Sequence, residues 1–144
     1  MFRVTRRYAF AASHRLHSAQ LSEEENRRIY GKCNNPYGHG HNYAIEVSAC
    51  GPVDDATGLA ARIPVLDDLV KREVLTPFDH CDLNLDTSAF CNSVPTTENL
   101  AIEIGRRLKR NWSAAFPGEW PKLDNIRIAE TERNIFELRA DEIE

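Results

Sequence analysis

The chain has 144 residues, which is enough for one compact domain spanning residues 1–144. Hydrophobic residues make up 42% of it, charged residues 28%, and the net charge of −4 differs from that of a strongly basic nucleic-acid binder. No apolar run approaches the roughly 18 residues of a membrane span, and no apolar signal core follows the charged start. We therefore expect a cytoplasmic protein with no nucleic-acid or membrane partner.

The N-terminal third predicts two strands. The first covers residues 4–10, where large apolar side chains share one parity, and the same parity extends to His14. The second covers about 41–50, where apolar and polar side chains alternate. Residues 51–58 are rich in turn formers and predict a hairpin turn after the second strand.

Three helices are predicted from capping residues and helical periodicity. Capping-box spacing after Ser22 predicts a short helix that ends near Tyr30. Pro64 suits the first turn of a second helix, which we expect residues 76–77 to end because they contain a proline. A threonine in the segment 95–99 caps a third helix that runs to about residue 110.

The rest of the chain predicts loops and two further strands. Residues 78–94 and 112–122 read as loops, and residues 126–130 and 135–139 read as strands. The order of two strands, two main helices and two strands favours an α+β domain with a mostly antiparallel sheet.

Three of the five histidines fall on core-facing positions of the predicted strands. His39 and His41 are two residues apart and point to one face of an extended chain, and His14 shares the apolar parity of the first strand. Three neutral imidazoles on neighbouring strands match the three protein ligands of a catalytic zinc site. The alternative is that each imidazole is a hydrogen-bonded core residue, and it stays open because the sequence does not show the two strands to be adjacent.

Cys33 lies in a loop six residues before His39. A nearby cation or metal would lower its pKa and make it a base or a nucleophile. It could instead be a fourth metal ligand or an inert thiol. The four cysteines form no CxxC pair, so we expect free thiols in a reducing compartment.

Two acidic positions are candidates for the same chemistry. Asp79 and His80 are adjacent and could form part of a proton relay, while the alternative is a turn-capping aspartate beside an exposed histidine. Glu130 has the parity of the core residues of its strand, where a carboxylate is costly unless it meets a partner such as a ligand rich in N–H donors. The alternative for Glu130 is a strand end that has already reached solvent.

Five segments, in their order along the chain, resemble the signature segments of the 6-pyruvoyl-tetrahydropterin synthase family: FAASHRL, GKCNNPYGHGHNY, FDHCDLNLD, PTTEN and AETERN. The resemblance covers residues 4–139. It implies the tunnelling fold, with a four-stranded antiparallel sheet, two helices on one side, and subunits that join into a barrel and a homohexamer of two trimers. It also implies a lyase that converts 7,8-dihydroneopterin triphosphate into 6-pyruvoyl-tetrahydropterin, with triphosphate elimination, in tetrahydrobiopterin biosynthesis.

The resemblance also implies three groups of site residues. The ligands of Zn²⁺ are His14, His39 and His41. The residues that move protons are Cys33, Asp79 and His80, with the last two supplied across a subunit boundary. The residues that bind the pterin are Glu130, which also belongs to the catalytic set, and Thr96, Thr97 and Glu98.

Several alternatives remain beside this reading. The related 6-carboxy-tetrahydropterin synthases of queuosine biosynthesis usually have three residues between the cysteine and HGH, whereas residues 34–38 make five here and favour the pyruvoyl-forming branch. Cys81 and Arg62 depart from the family's usual residues and leave the surroundings of the site open. A non-catalytic pterin-binding or zinc-binding relative, and a metal-dependent hydrolase of unrelated type, are the other two candidates.

Overall fold

Residues 1–144 are described by a computed structural model, in which one mixed sheet of five strands carries the fold. The strands are β1 (Phe2–His14), β2 (His39–Gly51), β3 (Cys81–Asp82), β4 (Lys122–Ala129) and β5 (Ile135–Arg139). Their order in the sheet is β3-β1-β2-β4-β5. The four long strands pair in antiparallel fashion, but β3 runs parallel to β1 and pairs with it over two residues. The predicted sheet of four antiparallel strands therefore lacks one strand, the short parallel β3.

The helical segments form three groups along the chain. They are α1 (Glu23–Tyr30), then α2 (Ile63–Val70), a π-helical segment (Lys71–Leu75) and α3 (Thr76–Phe78) in one run, and finally α4 (Thr97–Ala115). The 3₁₀ turns are Gly31–Asn34 and Ala140–Glu142. Helix α1 is the short helix that the capping residues predict, so all three predicted helices are present, whereas the family resemblance implied only two. None of these helices has the length and hydrophobicity needed to cross a bilayer.

Two helical segments end further along the chain than the sequence predicts. The run that begins with α2 passes Thr76 and Pro77, because the N–H of Thr76 bonds to the carbonyl of Lys71, five residues back. This wider turn precedes the proline, which has no N–H for the usual α-helical bond. Helix α4 continues to Ala115, into the predicted loop, because Trp112 is 8% exposed and packs in the core.

The predicted hairpin turn after β2 is also corrected. Strand β2 pairs along its whole length with β1, which precedes it, so the hairpin is closed by residues 15–38. Residues 51–58 lead from β2 towards α2 instead. They do form a turn, in which the carboxylate of Asp54 accepts hydrogen bonds from the N–H groups of Ala56 and Thr57.

The core lies between one face of the sheet and the helices. A single cluster joins alternate residues of the strands to the inward faces of α2 and α4. Tyr43, Ile45 and Val47 are each at most 1% exposed, whereas the intervening side chains are not fully buried. This alternation places the histidines of β1 and β2 on the helix-covered face, beyond the stacked rings of Phe10 and Tyr43.

Candidate active site

Three histidines converge where β1 ends and β2 begins. The antiparallel register places His14 directly opposite His39, and Ala12 opposite His41. Their potential ligand nitrogens all lie within 4.8 Å of one another, and Nε2 of His14 is 3.1 Å from Nε2 of His39. The ring planes meet at angles between 68° and 87°, so the imidazoles point their edges at a common centre. The two strands are adjacent, as the zinc-site prediction requires.

The chemistry of this cluster fits a metal cation. Nδ1 of His14 lies 2.8 Å from the carbonyl oxygen of Pro95, so it donates its proton there and leaves Nε2 as the lone pair facing the other rings. Nδ1 of His39 and Nε2 of His41 are buried without a hydrogen-bond partner. Burial lowers the pKa of His14 and of His39, which favours the neutral form that a metal needs.

Spacing points in the same direction. Two ligands of a tetrahedral zinc ion, each at about 2.0–2.1 Å, lie about 3.4 Å apart. The 3.1 Å between Nε2 of His14 and Nε2 of His39 is close to that value. The alternative of three satisfied core histidines is not met, because two of the rings keep an unpartnered buried nitrogen.

Glu130 borders the histidine cluster. It follows β4, and the pairing of Ala44 with Ala129 places it beside Tyr43. Its side chain is 14% exposed, so the strand has not reached solvent at this point. One carboxylate oxygen accepts a hydrogen bond from the hydroxyl of Thr97. The other lies 3.4 Å from Nε2 of His41, in a contact that is not directed as a hydrogen bond.

The first turn of α4 supplies one of three predicted pterin-binding side chains to this cluster. Thr96 is the N-cap of the helix and its hydroxyl accepts a bond from the N–H of Asn99. Thr97 is 2% exposed and reaches Glu130. The side chain of Glu98 is exposed and is bonded to no other side chain of the site. Only Thr97 of the three therefore touches the site through its side chain.

Cys33 lies in the 3₁₀ turn between α1 and β2 and is half-buried. Burial raises the pKa of its thiol, and the negative charge of Glu130 raises it further. The sequence led us to expect a lowered pKa only if a cation lay nearby, and no cationic side chain of the chain counteracts these two effects. A cation held by the three histidines would act in the opposite direction.

Asp79 and His80 lie apart from this cluster, at the open edge of the sheet. One carboxylate oxygen of Asp79 accepts from the N–H of Ala11, and the other is 3.7 Å from Nε2 of His80. The N–H of His80 bonds to the carbonyl of Ala11, and its φ of 59° is unusual for a residue other than glycine. The His80 side chain is 84% exposed. No hydrogen bond or ion pair joins this pair to Cys33, so their relay across a subunit boundary stays a prediction.

Sequence reasoning missed Tyr43 and Pro95. Tyr43 is 1% exposed, its hydroxyl lies 3.5 Å from Nδ1 of His14, and burial raises its pKa. Its position two residues after His41, on the same face, was the available signal. The carbonyl of Pro95 orients His14, but this contact joins residues far apart in sequence, and no local pattern indicates it.

Comparison with known proteins places the chain in a family. A family model described as 6-pyruvoyl tetrahydropterin synthase matches residues 3–141. A 6-pyruvoyl tetrahydrobiopterin synthase of Poecilia reticulata is 44% identical over 138 residues, covering 96% of this chain and 90% of that protein. A 6-carboxy-5,6,7,8-tetrahydropterin synthase of Rickettsia bellii is only 25% identical, over 91% of this chain and 95% of that protein.

The fold comparison gives the same result. The structure of Caenorhabditis elegans 6-pyruvoyl tetrahydropterin synthase superposes with a TM-score of 0.86 and 36% sequence identity, covering 96% of this chain and 94% of that one. The five sequence segments, the site they form and these matches, which span nearly the whole chain, lead to one conclusion. This chain belongs to the 6-pyruvoyl tetrahydropterin synthase family.

Proposed function

We propose that this protein is a zinc-dependent lyase that converts 7,8-dihydroneopterin triphosphate into 6-pyruvoyl-tetrahydropterin and releases triphosphate, as a step of tetrahydrobiopterin biosynthesis. The observation that carries the proposal is the convergence of His14, His39 and His41 beside the half-buried carboxylate of Glu130. Family membership and the greater similarity to a pyruvoyl-forming than to a carboxy-forming relative support the choice of product.

The three histidines are the proposed ligands of Zn²⁺. When bound, zinc acts as a Lewis acid that makes protons on the neighbouring substrate side chain easier to remove. His14 is held for this role by the carbonyl of Pro95, which fixes its tautomer and the direction of Nε2. Burial keeps His14 and His39 neutral and therefore ready to bind a cation.

Cys33 is the proposed base that takes protons from the substrate side chain and returns them. Burial raises the pKa of its thiol, and a cation held by the three histidines would act in the opposite direction and make the thiolate easier to form. Such a base can serve successive proton transfers because it regenerates itself. The oxidation and the reduction both take place within the substrate side chain, so the reaction needs no external reductant.

Glu130 is the proposed anchor of the pterin ring. Its carboxylate can accept two hydrogen bonds from the N–H groups along one edge of a guanidine-like ring. The hydroxyl of Thr97 donates a hydrogen bond to one carboxylate oxygen and so orients both oxygens of Glu130. Thr96 and Glu98, which flank Thr97 at the start of α4, complete the proposed pterin-binding segment.

Asp79 and His80 are proposed to serve the site of a neighbouring subunit in a homohexamer of two trimers. Both residues are substantially exposed, with side chains 40% and 84% accessible, as expected of groups that act on another chain. The sheet supports such an assembly, because β5 is an edge strand and β1 has a partner on its β3 side only at residues 12–13. Joining these edges would close the proposed barrel.

The proposed location is the cytoplasm. All four cysteines are free thiols, and thiols persist in reducing compartments. This is compatible with a base whose thiol must stay reduced in order to act.

The test is a product assay with the zinc-loaded protein and 7,8-dihydroneopterin triphosphate. We expect triphosphate release and 6-pyruvoyl-tetrahydropterin, no turnover by Cys33→Ala with its zinc retained, and normal turnover by the control Cys91→Ala at an exposed cysteine. An unchanged substrate with fully loaded wild-type protein would refute the proposal, and a 6-carboxy product would refute the choice of branch. Undiminished zinc in His39→Ala would refute the ligand assignment.

A further inference from the structure

The loop that carries Cys33 is tied to the segment that follows β1. The N–H of Leu16 donates to the carbonyl of Cys33 at 2.8 Å, and Nε of Arg15 donates to the carbonyl of Asn34 at 3.1 Å. The side-chain amide nitrogen of Asn34 lies 2.8 Å from the carbonyl of Leu16 and 3.0 Å from Nδ1 of His17. We call this set of four contacts between residues 15–17 and 33–34 the loop anchor.

The buried amide of Asn34 fixes the tautomer of His17. Asn34 is 6% exposed, so its polar atoms need partners within the protein. Its Nδ2 must face the carbonyl of Leu16, because a flipped amide would place two oxygens 2.8 Å apart. The second hydrogen of Nδ2 then points to Nδ1 of His17, which must be unprotonated in order to accept this hydrogen bond with its lone pair. The ring proton of neutral His17 is therefore on Nε2.

The loop anchor relates Cys33 to the histidine cluster. Residues 15–17 begin directly after His14, whose nitrogen belongs to the cluster. The other end of the loop also returns to His14, since a Cβ on Gly38 would lie 3.0 Å from the His14 carbonyl oxygen. The loop that carries Cys33 is thus held against the end of β1 at both of its ends, and of these contacts only that between Asn34 and His17 depends on a side-chain acceptor.

We propose that His17 and Asn34 are positioning residues for Cys33, with Nδ1 of His17 as the acceptor that locks the Asn34 amide. This inference rests on the proposed role of Cys33 as the base. Without that acceptor the buried amide keeps an unpaired donor, and the turn that carries the thiol loses its fixed relation to the cluster. A misplacement of about 1 Å can reduce turnover by on the order of 100-fold, so the effect falls on kcat.

The test compares three variants of the full-length zinc-loaded protein. In His17→Phe the ring shape stays but the acceptor is lost, and we expect kcat to fall by about 10- to 100-fold with little change in KM or zinc content. In His17→Asn the amide oxygen occupies the place of Nδ1, and we expect most of the turnover to return. In the matched control His17→Gln the oxygen reaches the place of Nε2 instead, and we expect no such rescue.

A second readout does not depend on turnover. Iodoacetamide labelling of Cys33, followed by peptide mass spectrometry with the exposed Cys91 as internal reference, reports how firmly the thiol is held. We expect faster labelling of Cys33 in His17→Phe and a wild-type rate in His17→Asn. Nitrogen NMR of the wild-type protein should show that the neutral ring of His17 carries its proton on Nε2, and this readout needs no variant to fold.

The outcomes separate this inference from the proposed function. Wild-type kcat and wild-type Cys33 labelling in His17→Phe would overturn the positioning role while the pterin synthase activity stands. A fall in activity that follows zinc content, with Cys33 labelling unchanged, would also overturn it. A neutral His17 ring with its proton on Nδ1 in the wild-type spectrum would do the same. If the wild-type protein leaves the substrate untouched, the proposed function fails, whereas labelling and NMR still decide the anchor.

Discussion

Replacing Thr97 with valine should weaken both the fold and the binding of pterin. Thr97 is 2% exposed, and its hydroxyl donates to a carboxylate oxygen of Glu130. Valine keeps the shape of the side chain but removes the donor. A hydrogen bond to a charged group contributes about 1.5–3 kcal/mol. Because Glu130 is still 14% exposed, a water molecule can partly replace the lost hydrogen bond. We therefore expect a loss of about 1–2 kcal/mol in the free energy of unfolding.

The loss corresponds to a fall of about 3–8 °C in the thermal midpoint of a domain of this size. Thermal unfolding by circular dichroism measures it, and the product assay measures KM, which should rise about tenfold if the oriented Glu130 carboxylate binds the ring. Thr97→Ser keeps the donor and should restore KM. Thr5→Val is a matched control, because the hydroxyl of Thr5 bonds to Ser48 near the end of β2 that is remote from His39 and His41.

Two outcomes for the thermal midpoint and KM would refute the role of Thr97. If Thr97→Val lowers the midpoint but leaves KM unchanged, as Thr5→Val should, then the hydroxyl of Thr97 supports the fold alone. If neither quantity changes, the bond to Glu130 contributes nothing measurable. In both cases the orientation of Glu130 would have to come from another contact, of which the proximity of His41 is the remaining one.

Two further predictions concern metal and pH. Removing the metal with a chelator should lower the thermal midpoint, because the three histidines lose the ion that binds them together, and a midpoint that is unchanged on adding zinc back would contradict the assignment. Arg7 holds the pKa of Glu46 below its usual range, so this stabilisation is present above the ordinary carboxyl pKa and is lost as pH falls through the lowered value. Arg7→Met should therefore lower the free energy of unfolding by less than about 1 kcal/mol near neutral pH and not at all in strong acid, as urea titrations at the two pH values would show.

Strand periodicity made the histidine cluster predictable. A period of two fixes which face a strand residue occupies, so His14, His41 and Glu130 could be assigned inward from local sequence. The register that sets His14 opposite His39 could not be assigned, because it depends on pairing across residues 15–38. The family resemblance supplied that missing relation, and the strand pairing shows it directly.

Helix ends and short strands were less predictable because tertiary burial decides them. Pro77 is a strong local stop signal, yet the run from α2 continues past it to the fully buried Phe78. Trp112 lies beyond the predicted end of α4 and extends the helix because its ring has a place in the core. Strand β3 contains only two residues, and it exists because residues 81–82 pair with β1, which no local pattern encodes.

The site replaces part of the hydrophobic core at one end of the sheet. The stacked rings of Phe10 and Tyr43 are the last apolar pair between β1 and β2, and the next core-facing position of each strand towards the end is Ala12 or His41. Small residues and imidazoles in these places leave little apolar contact between the strand ends. A shared cation bound by three imidazoles can hold those ends together instead, so metal binding and local folding become one equilibrium. If zinc binds as proposed, the same three histidines place the metal and hold this end of the sheet together, and the proposed anchor of Cys33 reaches β1 through the hydrogen bonds of residues 15–17 and not through the core.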